Sequence, residues 1–341
     1  MIKRILYTLL IMFPVLASAQ INTDRVMAIG RNALYFEDYV LSIQYFNQVI
    51  NAKPYLSDPY FYRGLAKINL DDFQGAESDC SEAIERNPFV VSAYQVRGLA
   101  RIQQNNFAGA IEDYTKALEF DPENIGVWHN MALCRIRQED YKGAKNDLDK
   151  LIAISPRYTK AYLMRGEVDL KQKDTLAAEK DFGKAIEIDR YDADTWASRA
   201  ILRLQQQRYK DAEADFDHAI RLSTRNSGVY INRALARYHQ NNLRGAMSDY
   251  DIALDIDPNN FIGHYNRGLL RAQVGDDNRA IQDFNFVIEM EPDNMMAIFN
   301  RGLLLDQTGD YKGAIKDYST VINEYPNFLL GYQYRAQARR K

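Results

Sequence analysis

The sequence predicts an all-α solenoid, built from helix pairs stacked in series. Three observations predict it. Proline recurs at a fixed step: Pro54, Pro88, Pro122 and Pro156, then Pro258, Pro292 and Pro326, at gaps of 34 residues with one gap of 102, three times that step. Two small residues recur twelve positions apart in every step. Asp or Asn recurs between them, where a second helix needs a cap. With each proline at slot 32, the steps define nine units: 23–56, 57–90, 91–124, 125–158, 159–192, 193–226, 227–260, 261–294 and 295–328. Arg190 and Thr224 fill slot 32 in the two units that lack the proline.

Before the first unit, residues 1–19 read as a cleavable secretory signal. Lys3 and Arg4 form a positive start, Ile5 to Phe13 is apolar apart from Thr8, and Pro14 breaks the helix. Ala17-Ser18-Ala19 then offers small residues for a cut after Ala19. The alternative, a membrane anchor, needs roughly 20 apolar residues, and this stretch is shorter. Residues 20–22 are a short lead-in. Without Lys3 and Arg4 the chain carries 41 basic and 46 acidic residues, a net charge of -5. The expected product is exported, without membrane insertion after cleavage: periplasmic in a Gram-negative host, otherwise secreted.

Within each unit the slots have physical content. Slot 8 is always Gly or Ala (Gly30, Gly64, Gly98, Ala132, Gly166, Ala200, Ala234, Gly268, Gly302), and slot 20 is Ser42 and then Ala at 76, 110, 144, 178, 212, 246, 280 and 314. Such a pair lets two helices cross with their backbones close together. Slot 24 is large and mostly aromatic, as in Phe46, Tyr114, Phe182, Phe216, Tyr250, Phe284 and Tyr318. Slots 4, 8 and 11 share one helical face, and slots 20, 24 and 27 share another. Slot 16 is Asp or Asn in eight units, an N-cap for the second helix. Asn105, Asn241, Gly275 and Gly309 at slot 15 suit a left-handed residue ending the first helix. Proline at slot 32 stops the second helix.

Helix, tight turn, helix and stop, repeated in register as in GHYNRGLLRAQVGDDNRAIQDFNFVIEMEPDN, resembles the tetratricopeptide repeat. The resemblance implies a right-handed superhelix whose first helices line a concave groove. A lone helix pair cannot bury its apolar face, so stability comes from stacked neighbours. Leu329 to Lys341 reads as the start of a tenth first helix, with Tyr332, Arg335 and Ala336 at slots 4, 7 and 8. Either residues 329–341 cap the array or the protein continues.

The composition excludes several function classes. With 43 basic and 46 acidic residues there is no concentrated positive field for nucleic acid. Two Cys and four His without ligand spacing give no zinc site, and no nucleophile motif, phosphate loop or nucleotide fingerprint appears. No enzyme activity, metal or cofactor is expected. Cys80 and Cys134, two units apart, are expected to be unpaired thiols, with at least Cys80 buried. Trp128 and Trp196 share slot 4 with Tyr60, Tyr94, Tyr162 and Tyr230, which points to packing rather than an aromatic ligand box.

Charged residues recur too. Asp occupies slot 23 in eight units, including Asp249, Asp283 and Asp317, and Arg occupies slot 7 in seven, including Arg233, Arg267 and Arg301. Catalytic carboxylates would have to meet in one pocket, whereas these recur one repeat apart. They are expected to bridge first and second helices, and the spacing leaves open whether the bridge stays within a unit or reaches the next. The fourth unit breaks the pairing, with Met131 at slot 7 beside Asp147.

In the family, slots 2, 5, 6, 9, 12 and 13 of the first helix tend to face the groove. Here slot 9 carries Leu65, Leu99, Leu235, Leu269 and Leu303, slot 5 carries Phe61, Ile231, Tyr265 and Phe299, and slot 6 carries Asn130, Asn232, Asn266 and Asn300. An amide at regular rise beside an apolar strip suits an extended peptide, and it looks like the asparagine ladder of some tetratricopeptide superhelices. The alternative is that these are common family residues or local packing. Some members clamp a terminal carboxylate with Lys at slot 5 and Asn at slot 9, a pair that no unit has. The expected function is an exported, non-enzymatic scaffold for protein or peptide partners. A self-associating solenoid, or the docking arm of a larger protein, are the alternatives.

Overall fold

The computed structural model describes residues 22–341, and among these every regular element is an α-helix. The signal segment 1–19 and most of the lead-in lie outside the described residues. The chain divides into two compact units, up to Pro156 and from Arg157.

The first unit contains α1 (Thr23–Tyr35), α2 (Tyr39–Ala52), α3 (Asp58–Ile68), α4 (Phe73–Arg86), α5 (Val91–Gln103), α6 (Phe107–Phe120), α7 (Ile125–Arg137) and α8 (Tyr141–Ile154). The second contains α9 (Thr159–Lys171), α10 (Thr175–Ile188), α11 (Ala193–Gln205), α12 (Tyr209–Leu222), α13 (Ser227–His239), α14 (Leu243–Ile256), α15 (Phe261–Gln273), α16 (Asp277–Met290), α17 (Met295–Thr308), α18 (Tyr311–Glu324) and α19 (Leu329–Ala338). In each unit, odd-numbered helices are first helices of a pair and even-numbered ones are second helices. Each helix packs most closely on its sequence neighbours, and the closest second-neighbour approaches are between first helices, such as α3 with α5 and α11 with α13. That places the first helices on the inner side of each unit's curve.

Local chemistry sets the helix ends. At slot 16, Asp38, Asp72, Asn106, Asp140, Asp174, Asn242 and Asp310 each accept from the backbone N–H three residues on. Asp276 holds the same position without a side-chain cap bond. A second row of caps was not anticipated. At slot 34, Asn22, Asn124, Asn226, Asn260 and Asn294 cap α1, α7, α13, α15 and α17 in the same way. The left-handed turn residue is universal, and it is not reserved for Gly and Asn: Glu37, Asp71, Glu139, Lys173 and Gln207 hold φ near +60° alongside Asn105, Asn241, Gly275 and Gly309. The end of α10 at Ile188 and of α12 at Leu222 keeps the common register without a proline, so slot 32 reinforces a stop the turn already imposes.

The core sits between the helices of each pair. All nine slot 20 residues, Ser42 included, are fully buried, and so are the slot 24 side chains they flank. Each buried aromatic there contributes about 1.5–3 kcal/mol. Slot 8 must be small because the aromatic ring lies on it. A Cβ on Gly166 would come within 2.6 Å of Phe182, and one on Gly98 within 2.8 Å of Tyr114. Cys80 and Cys134 are buried and unpaired, and burial pushes their thiols up to about 12 and about 11. Trp128 and Trp196 are half-buried rather than sealed, and each indole N–H donates to a carbonyl of the preceding turn, Pro122 and Arg190.

Candidate functional site

Two sets of side chains recur on the first helices, one turned into the stack and one turned out of it. The inward set is the ion-pair lattice. Arg63, Arg97, Arg165, Arg199, Arg233, Arg267 and Arg301 each reach the Asp sixteen residues on, at 2.5–2.8 Å. The bridge therefore lies within a repeat. The same guanidinium also reaches backwards to the preceding second helix: Arg63 to Asn47 (2.6 Å), Arg97 to Ser81 (3.1 Å), Arg233 to Asp217 (2.7 Å), Arg267 to Asp251 (2.9 Å) and Arg301 to Asn285 (2.8 Å). One side chain thus ties three helices, which the planar five-donor fork of Arg permits.

Each buried Asp is also held by a second cation at slot 11, which the slot 7 pattern did not reveal. Lys67, Arg101, Arg203, Arg237 and Arg271 lie 2.7–3.0 Å from Asp79, Asp113, Asp215, Asp249 and Asp283. Arg101, Arg203 and Arg237 also reach back to Glu77, Glu179 and Glu213. In the fourth repeat Met131 replaces the slot 7 cation, and Arg135 at slot 11 alone pairs with Asp147, at 2.7 Å. Burial outweighs Arg135 there and lifts the Asp147 carboxyl to about 6. The carboxylates are spaced along the stack, each wrapped in cations, which is an arrangement for register rather than proton transfer.

The outward set is the candidate groove. In the first unit Phe61 lies half-buried against Tyr62, Leu65 and Asn130 are half-exposed, and Leu99 is exposed. In the second unit Asn232, Asn266, Asn300, Tyr265, Leu235 and Leu303 are half-exposed and Leu269 is exposed. Ile231 and Phe299 are not groove-lining: they are only 7% and 8% exposed, and Phe299 is enclosed by Tyr318, Phe328 and Tyr334. Slot 5 turns far enough towards the following repeat that a large side chain is absorbed by it. Asn300 does not project freely either, because it donates to the Tyr265 hydroxyl at 3.2 Å. Residues at slot 2 are instead the most open apolar groups: Ile262, Met296 and Leu330 recur one repeat apart and are each about half exposed. Their signal in the sequence was the 34-residue spacing itself. Glu167 stands at slot 9 of the fifth repeat in place of Leu, and burial together with Asp194 raises its carboxyl above the usual range. Among the described residues no group of His, Cys, Asp and Glu could hold a metal ion, and no helix is long and apolar enough to cross a membrane.

Paired antiparallel helices with small residues at the crossing and an open inner face define an α-solenoid of repeats. Family comparisons match a TPR repeat at residues 98–134 and tetratricopeptide repeats at 125–158, 159–192, 198–261 and 265–327, together more than half of the chain. The chain belongs to the tetratricopeptide repeat family, whose members generally serve as protein–protein interaction scaffolds. No match was found among curated proteins. Among solved structures, a tetratricopeptide repeat protein from Parabacteroides merdae is similar over 73% of this chain and 98% of its own, at 21% identity and a TM-score of 0.56. The C-terminal part of a TPR repeat-containing protein from Cytophaga hutchinsonii is similar over 70% and 97%, at 17% identity and a TM-score of 0.58. Pseudomonas aeruginosa pilF is similar over 64% and 97%, at 19% identity and a TM-score of 0.54. At these identities the likeness is one of fold.

Proposed function

We propose that this protein is an exported, non-enzymatic scaffold that holds an extended segment of a partner polypeptide along the first helices. The single observation that carries the reading is the doubled apolar row of the second unit, Ile262 and Met296 at slot 2 beside Leu235, Leu269 and Leu303 at slot 9. Half-exposed Asn232 and Asn266 stand between the rows. Apolar rungs one repeat apart take side chains of an extended chain, and amides between them satisfy its backbone N–H and C=O groups. The flat charge balance favours polypeptide over nucleic acid as the partner.

The test is to select binders from a library of extended peptides and titrate the best against Asn266→Ala and Leu269→Lys. Weakening of about tenfold or more is expected for each, the scale of a lost backbone hydrogen bond or a charge placed against an apolar anchor. Unchanged affinity in both variants would remove the groove from the proposal. Export has its own test. Protein recovered from outside the cytoplasm should begin at Gln20, and an N-terminus still carrying Lys3 and Arg4 counts against cleavage.

A further inference from the structure

The face of α19 that other first helices cover with a second helix is open. Slot 8 is buried in all nine pairs, from Gly30 to Gly302, yet Ala336 at the same slot of α19 is exposed. In the ninth repeat this position lies directly beneath the second helix: a Cβ on Gly302 would meet Tyr318 at 3.0 Å and the Cβ of Asp317 at 3.2 Å. Tyr332 at slot 4 is exposed as well, and Leu329 beside it is 79% exposed.

Arg335 stands at slot 7 of this face. It makes the backward contact of its kind, Nη1 to the Ser319 hydroxyl at 3.2 Å, and lies over the Tyr332 ring at 5.5 Å. In the seven repeats with Arg at slot 7, the remaining donors of the fork hold an aspartate of the covering helix at 2.5–2.8 Å. Arg335 has no carboxylate partner among the described residues. A planar fork presenting parallel donors next to an apolar, small-residue surface is complementary to a carboxylate carried on a helix.

We propose that α19 is a docking face for an amphipathic helix of a partner protein. That helix carries a small residue over Ala336 and, three and four positions on, a carboxylate for Arg335 and an aromatic ring. The surface is separate from the groove between the apolar rows, and the chemistry is copied seven times inside this molecule.

The probe is a fluorescent peptide with the sequence of α18, Tyr311–Glu324, titrated against the full chain by anisotropy. Saturable binding is expected. It should weaken about tenfold or more when the peptide aspartate becomes Ala, or the protein carries Arg335→Glu or Ala336→Arg, the scale of a broken charge-assisted contact. Arg335→Glu paired with Arg in place of the peptide aspartate should recover binding, and Asn266→Ala should leave it unchanged, which separates this face from the groove. No saturable binding, or equal binding by the wild type and both face variants, would overturn the proposal. So would light scattering that shows a dimer dissociated by Ala336→Arg, since a second copy would then be the occupant.

Discussion

Arg135 and Asp147 pair across 2.7 Å, and Arg135 reaches the carboxylate from one turn beyond the slot where other repeats place their arginine. Met131 fills that slot and is buried, with its sulfur 4.0 Å from the Thr115 hydroxyl at the position the missing guanidinium would contact. Arg135 is also shared with Asp140 at 2.9 Å. Asp147 therefore carries the burial cost of a carboxylate with less than the usual compensation.

Met131→Arg should supply the absent fork, reaching Asp147 and Thr115 together. The expected gain is about 1–3 kcal/mol, the value of hydrogen bonds to charged groups, seen as a higher midpoint in urea or heat. A midpoint lower than wild type would mean that the apolar contacts of Met131 outweigh the bridge.

The same site gives a pH dependence. Burial raises the folded Asp147 carboxyl to about 6, above the ordinary aspartate value of about 3.9. Its stabilising contribution is complete below about pH 4 and is lost as pH rises through about 6, a change of at most about 3 kcal/mol. Comparing unfolding midpoints of wild type and Asp147→Asn from pH 4 to 7 isolates it. The variant should gain relative to wild type as pH rises, and a constant difference counts against the site.

Asp249 is the most buried lattice carboxylate, holding Arg233 at 2.6 Å and Arg237 at 2.8 Å. Asp249→Ala leaves two guanidinium groups half-buried without their shared anion. The expected loss is about 3–5 kcal/mol. An unchanged melting curve would show that the lattice adds nothing to stacking.

Gly166 and Gly183 make a controlled pair. Gly166→Ala drives a methyl against Phe182 at 2.6 Å and should destabilise by about 1–3 kcal/mol, as overpacking does. Gly183 sits inside α10 with nothing within 4 Å of its would-be Cβ, so Gly183→Ala should stabilise by about 0.5–1 kcal/mol. Chemical denaturation of both variants reads the contrast, and equal effects would contradict the crossing geometry.

The fold was legible because every repeat restates it, so that small residues at slots 8 and 20 and the caps at slot 16 speak nine times over. The left-handed turn was half legible: Asn105 and Gly309 advertise it, whereas Glu139, Lys173 and Gln207 adopt it because the helices on either side require the turn. The slot 11 cations could have been read from their spacing, but their target is the aspartate already assigned to slot 7, and only packing shows that one carboxylate holds both. The groove was legible as a row, not residue by residue. Whether slot 5 faces out depends on side-chain size, so Tyr265 stays half-exposed while Ile231 and Phe299 are taken into the core. Asn300 looked equivalent to Asn266 and instead donates to Tyr265, a contact 35 residues away that no local pattern encodes.

Site-specific photocrosslinking in the native host tests the central claim most directly, with the reactive side chain placed at Leu269 on the inner row or at Leu176, which is 81% exposed on the second helix α10. A partner held along the first helices predicts discrete adducts from position 269 and none from 176. Adducts from position 176 alone, or the same weak background from both, would contradict it.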